Sequence, residues 1–153
     1  MSYVTKEATW PATTLQKGVK EVIARFYELA DSKEPDAGPR IANEVFTKDA
    51  TLVSVSGTFQ GFSDISASRD KAWVVVNSRQ HSISRVFAGD DKGLELVLLG
   101  AVKTGFKNGQ VLDSPFACHI TVDASSAKSG DPRLKFMEVF AVSRVFGWNL
   151  CFI

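Results

Sequence analysis

Cysteine, histidine and net charge are all scarce in this chain. The two cysteines, Cys118 and Cys151, form neither a disulfide framework nor a zinc-ligand spacing. Each reads as a small buried apolar residue, and a reducing, cytoplasmic setting is the expectation. Eighteen Lys and Arg against seventeen Asp and Glu leave a formal charge of +1. The charges are scattered, so neither nucleic acid nor an anionic membrane is favoured as a partner. No apolar run approaches the roughly 18–20 residues that span a bilayer. The first residues, MSYVTKEATWPATT, lack the basic start and apolar stretch of a secretory leader. There is no glycine-rich phosphate loop, no GxSxG elbow and no His/Cys/carboxylate cluster at metal spacing. A metal, nucleotide or flavin is therefore not expected, and cofactor-independent chemistry fits what remains.

What is present suits one domain. The 153 residues, 44% hydrophobic and 23% charged, can bury a proper core but not two. Residues 1–14 read as an arm with an anchor-like Trp10-Pro11. The apolar residues Val19, Val22, Ile23, Phe26 and Ala30 recur at helical spacing and predict a helix over Leu15–Ser32. The segment 32–39 breaks it, and a shorter helix follows over Arg40–Phe46. Residues Thr51–Phe59 read as a first strand. A third helix is expected over Asp64–Val76, although the β-branched WVVV also allows a strand starting at Trp73. Then come strands: HSISRVFA from His81, Leu94–Phe106, Val111–Val122 and Leu134–Phe146. Asn108-Gly109 marks a tight hairpin between the second and third of these. Ser125–Pro132 is a polar connection.

Helices first and a strand meander after them predict an α+β fold, with the helices on one face of a curled, mostly antiparallel sheet that can enclose a pocket. Residues 15–146 would form that domain, and 147–153 an apolar tail that packs on a neighbour or plugs the pocket. Leu96–Leu99 and the last strand are apolar at both parities, so the face away from the helices also needs cover, which predicts a homodimer.

The segments FYELADS (26–32), VFTKDATLVSVSGTFQGFSDI (45–65), RQHSISRVF (79–87), LLGAVKTGFKNGQ and KFMEVFAV resemble the nuclear transport factor 2-like cone superfamily. Within it they are similar to the SnoaL-like cyclases, isomerases and dehydratases. A more distant similarity is to the scytalone dehydratases, whose active-site histidine carries over to His81. Their catalytic aspartate falls at about Glu34, their first-strand tyrosine near Val55 or Ser56, and their second histidine near Val102. The resemblance thus implies a related pocket with different chemistry.

Three residues are candidates for proton transfer. His81 opens a strand and titrates near neutrality, or is a structural histidine bonded to the backbone. Asp113 shares a strand face with Pro115, Ala117, His119 and Thr121. If that face lines the cone, Asp113 is a base and His119 its neighbour; otherwise Asp113 is a solvated strand end. Glu138 stands among large apolar residues with Phe136 and Phe140 at its parity, either in a pocket wall or paired with Lys103 or Lys135. Tyr27 offers a hydroxyl to a substrate or merely packs, and Asp31 ties down the following loop. Phe59, Trp73, Phe116 and Phe140 supply apolar surface. The functional expectation is a cofactor-free isomerase, cyclase or dehydratase acting on a hydrophobic, oxygenated polyketide or terpenoid. The alternative is a non-catalytic ligand-binding or protein-interaction module of the same fold.

Overall fold

The computed structural model describes Met1–Ala141. Helix α1 covers Val19–Ala30. Its Val19, Val22, Ile23, Phe26 and Ala30 are buried as their spacing requires. A four-residue helix α2 (Ala37–Arg40) runs into a π-helical turn at Ile41–Val45. The single strand expected at Thr51–Phe59 is a hairpin instead: β1 (Phe46–Ser54) and β2 (Gly57–Gln60) flank a turn at Val55-Ser56. Helix α3 is short, Gly61–Ala67, and residues 68–75 form a loop. Helix α3 thus stops well short of the β-branched Val74–Val76, and strand β3 begins at Val76 and runs to Ala88.

Strand β4 spans Glu95–Phe106 and β5 Val111–Val122. Between them Gly109 takes φ 89°, the left-handed conformation that the Asn-Gly turn supplies at least cost. The polar connection after β5 holds a short helix α4 (Ala124–Ser129), capped by Asp123 accepting from the Ser126 N–H at 2.8 Å. Strand β6 is described over Leu134–Ala141. The expected tail at 147–153, with Cys151, lies outside the described residues.

The sheet order is β2-β1-β6-β5-β4-β3, antiparallel except where β1 and β6 run parallel. It is a mixed, open sheet, and the fold is α+β. Its concave face packs on α1, the π turn and α3. Phe116, Cys118, Ile120 and Val122 of β5 and Leu96, Leu98 and Val102 of β4 are buried there. Strand β3 has two register shifts, at Val76/Ser78 and Ile83/Arg85. After the first, Arg79, His81 and Ile83 are the buried residues, at the parity opposite to buried Val76. After the second, the buried parity returns to that of Val76, and Val86 turns inward.

The amino-terminal arm runs along the edge of β3. Val4 is 1% exposed, and its carbonyl accepts from the Ile83 N–H at 2.8 Å. Thr9 pairs parallel to Arg85, donating to the Ser84 carbonyl at 3.0 Å and accepting from Val86 at 2.9 Å. The arm thereby covers an otherwise open sheet edge.

Candidate active site

A cavity of about 340 Å³ lies between α1 and the concave sheet. Phe26, Tyr27, Ile41, Val102, Phe116 and Val139 give it apolar walls. Ser54 and Ser56 of the β1–β2 turn add hydroxyls. Arg69, Lys71, Arg79 and His81 bring titratable groups to it.

His81 reaches the cavity because β3 alternates. Arg79, His81 and Ile83 point inward while Gln80 and Ser82 point out. Asp31 reaches the same place as the residue that closes α1, its backbone N–H bonding the Tyr27 carbonyl at 2.9 Å. The Asp31 carboxylate takes three hydrogen bonds. Oδ2 accepts the backbone N–H of His81 at 2.7 Å and the Tyr3 hydroxyl at 2.8 Å. Oδ1 faces His81 Nδ1 at 2.5 Å. The two side chains, His81 and Asp31, are only 8% and 5% exposed.

The electrostatics fix the proton arrangement. Burial is the largest influence on Asp31 and acts to raise it, but hydrogen bonds from His81 and Tyr3 together hold the carboxyl below its usual range. Burial, again the largest influence, pulls His81 below its ordinary 6.5; Asp31 opposes this, and Arg79 and Arg69 add to it. At neutral pH the pair is therefore carboxylate and neutral imidazole. An ionised carboxylate can only accept, so Nδ1 carries the hydrogen and Nε2 keeps its lone pair. Nε2 makes no hydrogen bond among the described residues. Asp31 stands behind the ring, and Nε2 is left as the basic atom that His81 offers the cavity.

Aromatic rings frame this base. Tyr27 and Phe116 lie 5.0 and 5.7 Å from the imidazole, centroid to centroid, and 5.5 Å from each other. The Tyr27 hydroxyl is buried without a hydrogen-bond partner among the described residues. Burial, with a smaller effect of the neighbouring Cys118 thiol, raises its pKa well above 10. It therefore stays protonated, with the Cys118 thiol as its polar neighbour. The Phe116 ring fits because Gly100 lies across from it on β4. A Cβ on Gly100 would stand 2.7 Å from Phe116 Cζ and 2.4 Å from the Ser82 carbonyl oxygen.

The loop after α3 completes the wall. Arg69 Nη2 donates to the Ala30 carbonyl at 2.5 Å, and Arg79 Nη1 reaches the same oxygen at 3.3 Å. Arg79 Nη2 donates to the Ala72 carbonyl at 3.1 Å. Trp73 is half-buried behind them: its indole donates to the Ser32 carbonyl at 3.1 Å, and the Arg79 guanidinium sits 5.0 Å over its ring.

Of the residues expected from sequence, His81, Tyr27 and Phe116 meet at the cavity, and the others do not. Asp113, His119 and their parity mates do share a face, but it is the convex one. Asp113 is exposed opposite Lys103, and His119 bonds Glu95 at 3.0 Å. The alternate parity of β5, Phe116 through Val122, carries the larger apolar load and takes the core. Glu138 is the register neighbour of His119 and lies outward with it, while Met137 and Val139 face in. Phe140 is 52% exposed on that outer side. Phe59 packs at the margin of the core, and Trp73 supports an arginine; neither lines the cavity. Glu34, where the resemblance placed a catalytic aspartate, is exposed, and the carboxylate that meets His81 is Asp31 at the end of α1. Val102 pairs with His81 across β3 and β4, where the resemblance placed a second histidine.

Arg69, Arg79 and Tyr3 were not singled out by sequence. Arg79 had a legible signal, an arginine two residues before His81 on one strand and hence at the same parity. Tyr3 had none, since its partner is 28 positions away.

No family model matches the chain, and neither does any curated protein. Solved structures do. One is a ketosteroid isomerase-like protein from Catenulispora acidiphila in complex with trimethylamine. It is 14% identical, with a TM-score of 0.61 over 78% of this chain and 84% of that one. An NTF2-like protein of unknown function from Exiguobacterium sp. 255-15 gives 13% identity and a TM-score of 0.62 over 80% and 98%. A type 2 hexachlorocyclohexane dehydrochlorinase gives 8% identity and 0.61 over 86% and 91%. At these identities the likeness is one of fold.

Proposed function

With the NTF2-like cone as premise, we propose that this protein is a cofactor-independent acid–base catalyst acting on a hydrophobic, oxygenated small molecule. The observation that carries the reading is the buried Asp31–His81 pair beside a mostly apolar cavity. His81 Nε2 takes a proton from carbon next to a carbonyl, and the electron pair moves onto the carbonyl oxygen. Asp31 holds the imidazole in the required tautomer and stabilises the imidazolium that forms. The nearby guanidinium groups stabilise the oxyanion. Returning the proton to a different carbon gives isomerisation. Delivering it to a departing hydroxyl gives dehydration. The dehydrochlorinase shows, by its name, an elimination run on this fold, and the trimethylamine complex shows a small ligand held by it.

Turnover of a panel of polyketide- and terpenoid-like ketones and hydroxyketones tests the reading. For an active substrate, His81→Ala lowers kcat by about 10²–10⁴, the usual contribution of a positioned general base. Turnover unchanged by that substitution refutes the assignment, and specific binding without turnover makes the cavity a ligand-holding module.

We also propose that the convex sheet face joins two copies. Phe87 of β3, Val97 and Leu99 of β4 and Phe140 of β6 are 38–52% exposed there, with Ala117 of β5 bridging Leu99 and Phe140, an apolar surface of the kind that mediates association. Leu99→Lys is expected to convert a dimer to monomer in sedimentation velocity. A wild-type monomer at micromolar concentration would contradict the proposal.

A further inference from the structure

We propose that the cavity recognises a carboxylate on its ligand, so that the substrate of the acid–base chemistry is an apolar carboxylic acid. The inference rests on the catalytic reading above and adds the charge of the substrate to it.

Three cationic side chains, Arg69, Lys71 and Arg79, line the cavity, and no Asp or Glu does so among the described residues. Among the described residues none of the three forms an ion pair. Asp31 is the carboxylate at hand, but its oxygens are occupied by His81 and Tyr3. The guanidinium groups bond only neutral backbone carbonyls, Ala30 and Ala72, among the described residues. The end of α1 contributes at most about half a negative charge to them.

Their bonding is also incomplete. Among the described residues, Nε of Arg69 and Nε of Arg79 are buried without partners, and Nη1 of Arg69 has none. Burial lowers both guanidinium groups, Arg69 to about 10, so both remain cationic at neutral pH. Asp31 is the carboxylate whose charge reaches both, and two buried cations against one carboxylate leave a costly excess of positive charge. The missing element is an anion, and a planar carboxylate matches the guanidinium fork. The apolar walls, Phe26, Phe116 and Val139 among them, then take the body of the molecule.

The test compares 2-naphthoate with its neutral isostere 2-naphthamide by titration calorimetry on the full chain. The wild type is expected to bind the acid at least about tenfold more tightly, the scale at which a site built for a polar group rejects its mismatch. Arg69→Gln should erase that preference. Lys71→Gln, at an exposed position that makes no hydrogen bond among the described residues, should weaken the preference without threatening the fold. Equal binding of acid and amide by the wild type overturns the inference, as does a preference untouched by both substitutions. Proton exchange into ketones separates the two proposals. Equal binding with intact His81-dependent exchange removes only the carboxylate, whereas acid preference without exchange upholds the carboxylate and removes the catalysis.

Discussion

Replacing Asp31 with asparagine tests how much of the site depends on one carboxylate. In the wild type, three donors converge on it: His81 N–H, His81 Nδ1–H and the Tyr3 hydroxyl, at 2.7, 2.5 and 2.8 Å. The amide oxygen of the substituted side chain can keep one or two of these bonds, but its NH₂ group cannot accept any. At least one hydrogen bond to a buried charge is lost, worth about 1.5–3 kcal/mol, and the survivors weaken because the acceptor is neutral. A cost of about 3 kcal/mol follows, which for a domain of this size lowers Tm by roughly 6–12 °C. The tautomer changes as well. An NH₂ group facing Nδ1 makes that nitrogen the acceptor, so the ring hydrogen moves to Nε2 and His81 loses its basic lone pair toward the cavity. Long-range ¹H–¹⁵N correlation spectra of the imidazole read this without any substrate. The wild type should show Nδ1 protonated at pH 7.5, and Asp31→Asn should show Nε2 protonated. A wild-type ring already protonated at Nε2, or a variant with unchanged tautomer and stability, would refute the reasoning.

Three further outcomes are expected. Tyr3→Phe removes one donor from Asp31, so the carboxylate becomes more basic; NMR titration should show the pKa values of both Asp31 and His81 rise, and unmoved values would contradict a role for the arm at the site. Folding stability should fall as pH drops, in two stages, because both groups have depressed folded-state pKa values: the His81 contribution is lost from about 6.5 downward and the Asp31 contribution from about 3.9 downward. Urea melts that are flat between pH 7.5 and 5 would contradict the burial of a neutral His81. Gly100→Ala places a methyl group into the Phe116 ring and the Ser82 carbonyl, and should cost about 1–3 kcal/mol by overpacking, read as a lower urea midpoint with unchanged m.

The fold was legible where one periodicity ran unbroken. The apolar stripe of α1, the Asn108-Gly109 turn and the limits of β5 all follow from local pattern. The β1–β2 turn was not legible, because Val55-Ser56 carries no glycine or proline and its strands read as one alternating run. The site was legible only in part. His81, Tyr27 and Phe116 were identified, but Asp113 and Glu138 each kept an inward and an outward reading, between which only the packing of β5 and β6 decides. Parity names two faces without saying which one the helices cover, and here the helices cover Phe116, Cys118 and Met137. Register shifts in β3 then defeat simple alternation along the strand that carries Arg79 and His81. Asp31 was taken as a loop anchor because its partner lies 50 positions downstream, a distance no local pattern reports.

The central claim is that His81, oriented by Asp31, moves protons within the cavity. Hydrogen–deuterium exchange at carbon next to the carbonyl of hydrophobic ketones and keto acids tests it most directly, because it needs no knowledge of the product. In D₂O the wild type should accelerate exchange of at least one such compound, and His81→Ala should return it to the buffer rate while preserving the fold. Exchange at the buffer rate across the panel, or acceleration that survives His81→Ala, would contradict the account.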